Sequence, residues 1–150
     1  MRDQFMTALK EAMKAGDKGR VAAVRLIQAA IKDKDIEARG AGKGQASDEE
    51  ILGLMQKMIK QRQESASIYR ANARPELAEI EEAEIAVIGS FMPKQLDETE
   101  TKAAIAAAIA ETGAAGMKDM GKVIALLRER FAGQMDFSKA SGFVKAALSA

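Results

Sequence analysis

An all-α fold follows from three features of the sequence. The 150 residues are rich in Ala, Lys, Glu, Gln, Met and Leu, the strong helix formers, and only 4% are aromatic. Apolar residues recur at helical spacing, and no stretch alternates as a half-buried strand does. Capping side chains, glycines and both prolines mark the ends of seven helical segments.

The first segment runs from about Asp3, a plausible N-cap, to Ala15, with Phe5, Met6, Leu9 and Met13 as its apolar stripe. Gly16 supplies a left-handed stop. Asp17 caps the second, Lys18 to Arg39. Val21, Val24, Ile27 and Ile31 line one face of it, widened by Leu26 and Ala30. Lys18, Arg25, Lys32 and Arg39 recur at sevens and project in a row. Gly40 to Gly44 then holds three glycines in five residues. A phosphate-cradling loop needs a preceding strand and a Gly-Lys-Ser/Thr end, so this stretch reads as a connector.

Ser47-Asp48-Glu49-Glu50 fits a capping box that opens the third helix. That helix runs to about Asn72, with Ile51, Leu54, Met55, Met58, Ile59 and Ile68 as core candidates. Pro75 suits a first helical turn. It opens a fourth helix to Phe91, anchored by Leu77, Ile80, Val87, Ile88 and Phe91. Pro93 stops that helix and is the best domain boundary. Asp97 to Glu100 then caps an Ala-rich fifth helix, about Glu98 to Thr112, which ends at Gly113. A sixth covers about Met117 to Phe131, with Met120, Val123, Ile124, Leu127 and Phe131 inward. A seventh covers about Ser138 to Leu148, with Phe143, Val144 and Leu148 inward. Residues 1–93 therefore read as a four-helix unit with a long helical pair, and residues 94–150 as a three-helix unit. So short a unit has little core of its own.

The absent residue types exclude whole classes of chemistry. With no cysteine there are no disulfides, thiolate zinc sites or Cys nucleophile, and with no histidine there is no Ser-His-Asp catalysis. The longest uncharged apolar run, Ala103 to Ala110, is far below the ~20 residues of a membrane span. Residues 1–15 mix charged and apolar positions unlike a signal peptide, so the expected location is the cytoplasm. No metal, cofactor or membrane partner is expected.

Of the remaining reactive groups, Glu81 and Glu84 share a face of the fourth helix. They suit ion pairing with a neighbouring helix better than acid–base work or Mg²⁺ binding. No serine lies in a nucleophile-elbow turn. The nine methionines read mostly as core filling, with Met13, Met55, Met58 and Met120 on apolar stripes. Tyr69 and the phenylalanines form no base-stacking cluster.

The net charge of +1 hides an uneven distribution. Residues 2–43 carry ten basic and six acidic side chains, and residues 48–84 carry five and nine. Residues 94–150 carry eight and seven. Two local basic groups emerge, Arg20, Arg25 and Lys32 in the first, and Lys118, Lys122, Arg128 and Arg130 in the second. Either can meet phosphate, although a near-neutral total is not the strong basic excess of most nucleic-acid binders.

Several blocks in one order resemble the GatB/YqeY family. Asp17-Lys18, Arg20, Val24-Arg25-Leu26 and Ala30-Ile31-Lys32 look like its opening. Gln61 to Ser65 with Tyr69, then Arg74, Leu77-Ala78 and Glu81, follow. The stretch from Glu84-Ile85 to Phe91-Met92-Pro93-Lys94-Gln95-Leu96 resembles a further block. Thr112-Gly113-Ala114 with Met117-Lys118-Asp119-Met120-Gly121-Lys122-Val123 is the closest match. The resemblance covers essentially the whole chain.

It implies an all-helical protein of two lobes. The C-terminal one is similar to the tail domain of the B subunit of glutamine-dependent tRNA amidotransferase, which helps hold tRNA away from the active site. Stand-alone relatives carry a carbon–nitrogen ligase label, but this sequence holds neither the phosphate-transfer and metal-binding core nor a glutaminase apparatus. Lys118, Gly121 and Lys122 match the tail-like motif, where Gly121 would permit close approach of a helix or phosphate. Gly133 to Ser138 is less basic than the family's usual turn. The expected function is a non-catalytic accessory protein that binds tRNA or another RNA. The alternatives are an adaptor docking a larger protein, through acidic helix four and basic helix two, and a subunit of an amidotransferase.

Overall fold

The computed structural model describes residues 1–149 and is all-helical, with seven α-helices and no strand among the described residues. They are α1 (Arg2–Ala15), α2 (Lys18–Gly40), α3 (Asp48–Ala71), α4 (Pro75–Gly89), α5 (Glu98–Thr112), α6 (Met120–Arg130) and α7 (Phe137–Ser149). A 3₁₀ turn, Met117–Asp119, leads into α6.

Local chemistry sets most boundaries. Asp17 accepts from the Arg20 amide at the start of α2, and Ser47 and Asp97 complete capping boxes with Glu50 and Glu100. Gly16 and Gly113, at φ +70 and +68, end α1 and α5 in the left-handed region that a Cβ disfavours. The start of α1 departs from expectation. Met1, not Asp3, occupies the cap position, without a side-chain cap. A long-range contact holds this end instead: the Arg2 guanidinium donates twice to Asp35 (2.7 and 2.8 Å) and once to the Ala46 carbonyl. Asp35 also accepts from the Ala46 amide at 2.9 Å, so one carboxylate ties α1, α2 and the loop before α3 together.

Chain contacts divide the molecule into Met1–Met92 and a second unit beginning at Pro93. In the first, α3 and α4 form the most extensive pair, and α2 packs on α1, α4 and α3. Phe5, Val24, Ile27, Ile51, Met55 and Ile88 are its innermost side chains. Leu26, Ile68 and Ile80, expected inside, are exposed, and so are Met6 and Met13 of the α1 stripe. Alanines take the inward positions instead: Ala8 and Ala12 on α1, Ala66 on α3 and Ala78 on α4. Small residues let helix axes approach closely and leave large neighbours at the rim. Met13 is thus not core filling, while Met55 and Met58 are. In the second unit α5, α6 and α7 all touch one another around Ile105, Val123, Leu127, Met135 and Val144.

The Asp35 contacts carry a pH signature. The Arg2 hydrogen bond, with the Ala46 amide second, lowers its carboxyl from the ordinary 3.8 to about 2. A folded-state pKa below the unfolded one adds stability that is complete above pH 3.8 and lost as pH falls through about 2. Asp35→Asn is expected to lower the Tm at pH 7 and to match the parent near pH 2. A Tm difference that stayed constant with pH would refute this role.

Candidate nucleic-acid interface

Lys118 and Lys122 are presented by a turn that the chain builds for itself. Gly113 ends α5 and Gly116 continues in extended backbone. The Asp119 carboxylate then accepts from the Ala115 amide at 3.0 Å and so fixes the 3₁₀ turn. That amide, followed by the charges of Lys122 and Lys118, holds the Asp119 carboxyl below its ordinary range. It is therefore ionised and fixed in place at neutral pH.

Lys118 is exposed on this turn, and Lys122 follows one helical turn later at the start of α6. The Lys122 ammonium lies 4.0 Å from Asp119 with its side chain 74% exposed. Such a contact is worth little, and the ammonium is readily available to another anion. Lys118 makes no ion pair among the described residues. The two lysines thus form one small cationic surface. Gly121 beside them is exposed, and a Cβ there would meet nothing within 4 Å. The expected close packing of Gly121 on a neighbouring helix is not made within this structure, because its face of α6 is open.

Arg128 and Arg130 do not join this surface. At ~100° per residue they point about 120° and 80° away from Lys122. The Arg128 guanidinium sits over the Phe137 ring at 5.2 Å. Arg130 makes a two-bond pair with Glu111, which raises its own pKa and lowers that of Glu111. Its guanidinium thus already holds a carboxylate, in a half-exposed surface pair.

In the first unit the expected trio also divides. Arg25 and Lys32 are exposed two turns apart along α2, on the same side of the helix. Arg20 is half-buried, with its guanidinium 5.4 Å from the centroid of Phe91, which in turn packs on Phe5 at 4.9 Å. Arg20 is a packing residue as much as a surface charge. Lys32 borders a cleft of about 190 Å³ with Arg2, Gln28 and Asp35.

Two carboxylates of α4 reach α3. Glu84 pairs with Arg62 at 2.7 Å and Glu82 with Arg70 at 2.8 Å. Of the Glu81 and Glu84 pair that the sequence singles out, Glu84 makes an ion pair across the helical hairpin and is committed rather than free for acid–base chemistry, whereas the second pair is made by Glu82 and not by Glu81. No group of three or more metal-binding side chains occurs among the described residues. No described helix is long and apolar enough to cross a membrane. Sequence reasoning missed the Arg2–Asp35–Ala46 contact, since partners 33 and 44 positions apart leave no periodic or motif signal.

A family model described as Yqey-like protein matches residues 2–148. Among curated proteins, altered inheritance of mitochondria protein 41, mitochondrial, from Saccharomyces cerevisiae is 36% identical over 85 residues, 56% of this chain and 44% of the yeast protein. Its counterparts in Vanderwaltozyma polyspora and Lachancea thermotolerans are 33% and 34% identical over 84 residues. The matched region spans about 44% of the length of these relatives.

Proposed function

Because the chain belongs to the Yqey-like protein family, we propose that it is a non-catalytic RNA-binding accessory protein, tRNA being the preferred partner. Its second unit would act as the tail domains of tRNA amidotransferases do. The observation that carries this reading is the exposed Lys118–Lys122 pair. It is displayed by a turn that Asp119 pins, and it coincides with the part of the sequence most like such a tail. Lys118 and Lys122 are assigned to backbone phosphate, with Gly121 between them leaving room for approach. Arg25 and Lys32 are a second phosphate-binding pair, and Arg20 supports their helix. Arg128 and Arg130 contribute only at longer range, given their existing partners.

No catalytic residue is assigned. The names of the yeast relatives place those proteins in mitochondria. The cytoplasm was the location expected here, and both compartments contain tRNA, so the reading needs neither in particular. Titration of the purified chain with total tRNA at about 50 and 200 mM salt tests it, because phosphate-driven binding weakens steeply over that range. Binding that is absent at 50 mM, or unchanged at 200 mM, would count against it.

A second reading, an adaptor for a larger protein, is favoured by Ile68 and Ile80 of the α3–α4 hairpin, 60% and 56% exposed. Its acidic partner surface is reduced by the Glu82 and Glu84 ion pairs. A silent tRNA titration would make it the leading one. Membership in an amidotransferase assembly remains a third role that requires partner subunits.

A further inference from the structure

The turn before α6 is held against the last turn of α7. The Ser149 hydroxyl donates to the Lys145 carbonyl at 2.7 Å, and its oxygen lies 3.5 Å from the Met117 sulfur. At the other end of the same helix pair, the Arg128 guanidinium sits over the Phe137 ring. These two contacts run α6 and α7 antiparallel. Four residues inward from Met117 is Gly121, and four inward from Ser149 is Lys145, so the two stand level with each other.

Helical geometry fixes the side each one occupies. Lys145 and Ser149 lie about 40° apart round α7, so Lys145 is on the side that meets α6. Gly121 lies about 20° from Arg128 round α6, on the side that meets α7. Lys122 is about 100° further round, and Lys118 stands on the turn just before. Gly121 therefore has Lys145 on one side and Lys118 and Lys122 on the other. A Cβ at Gly121 would meet nothing within 4 Å, so the backbone between these cations is bare.

The charges are open to an outside anion. Lys145 is exposed and makes no ion pair among the described residues. No acidic residue occurs in α7. The Asp119 carboxylate offsets part of the Lys122 charge, but it is directed at the Ala115 amide. A planar carboxylate is best held by the two-pronged guanidinium of arginine. Lysine ammoniums act as point charges, and several of them suit a tetrahedral phosphate that accepts from several directions.

We propose that Lys145 is the third lysine of a phosphate site centred over Gly121, facing Lys118 and Lys122 across it. The phosphate belongs either to the backbone of an RNA strand or to a small free phosphate compound. The first source deepens the RNA-binding reading and rests on it.

The test compares Lys145→Gln with Lys139→Gln, an exposed lysine about 120° away on the same helix. Both variants should keep the parent Tm. In a tRNA titration between about 50 and 200 mM salt, Lys145→Gln should weaken binding about two- to fivefold, the scale of one exposed ion pair. It should also flatten the salt slope by about 0.9, the share of one phosphate contact, while Lys139→Gln leaves the slope unchanged. If tRNA binds and Lys145→Gln keeps the parent slope, the Lys145 assignment is overturned and the RNA reading stands. The second arm is a chemical-shift titration with inorganic pyrophosphate. A saturable shift of the Gly121 amide, reduced by Lys145→Gln and not by Lys139→Gln, supports the site. Such a shift in a chain that ignores tRNA keeps the site for a free phosphate compound and overturns the RNA reading. Loss of slope with tRNA and no pyrophosphate shift assigns the phosphate to a strand. No response in either arm overturns the site. Polyglutamate that shifts Gly121 as strongly as pyrophosphate overturns its preference for phosphate.

Discussion

Truncating Leu127 to alanine is expected to cost the second unit about 2–5 kcal/mol, the range for a large-to-small change in a core. Leu127 is fully buried at the centre of α6, among Ile105, Val123, Met135 and Val144. The cost arises from lost apolar transfer and from the cavity left where the three helices converge. It falls on a unit with little in reserve, since a single core below about 70–80 residues rarely supplies more than about 3–5 kcal/mol. The variant should therefore lose methyl dispersion at Val123 and Val144 in denaturant that leaves the parent folded. Leu126→Ala, at a half-buried neighbour, should cost less. A loss below about 1 kcal/mol for Leu127→Ala would place the centre of this core elsewhere.

The helix ends were legible because their causes are local. Ser47 and Asp97 each reach only three residues along the chain, and Gly16 and Gly113 need only their own φ. The beginning of α1 was not legible, because Arg2 is held by residues on α2 and beyond it. Burial was misread for a related reason. Hydrophobicity ranks isoleucine and methionine above alanine, but the α3–α4 pair buries Ala66 and Ala78 and exposes Ile68 and Ile80. Which side of a helix lies inward depends on how close its neighbour comes, and side-chain volume sets that distance.

The same distinction governs the candidate site. The sequence identified which residues are basic and which share a helical face, but not which cations are already satisfied. Arg130 is paired with Glu111, 19 positions away, and Arg20 and Arg128 lie on rings contributed by other segments.

Reversing both Lys118 and Lys122 to glutamate is expected to weaken tRNA binding on the order of 10- to 100-fold at about 50 mM salt. Two charge-assisted contacts of about 1.5–3 kcal/mol each set the upper scale, and screening at an exposed site brings it down. The salt dependence is more diagnostic than the affinity. Each phosphate contact contributes about 0.9 to the slope of log affinity against log salt, so losing both should flatten it by about 1.8. The reversal also takes the net charge of the chain from +1 to −3, which by itself repels RNA. Lys57→Glu with Lys60→Glu on α3 makes the same change in total charge at two exposed positions outside the proposed surface. If the Lys118/Lys122 variant loses both affinity and slope while the α3 variant keeps its slope, phosphate is held at the Asp119-pinned turn. Equal losses in the two variants would mean that the RNA senses only total charge, and the localised surface would have to be abandoned.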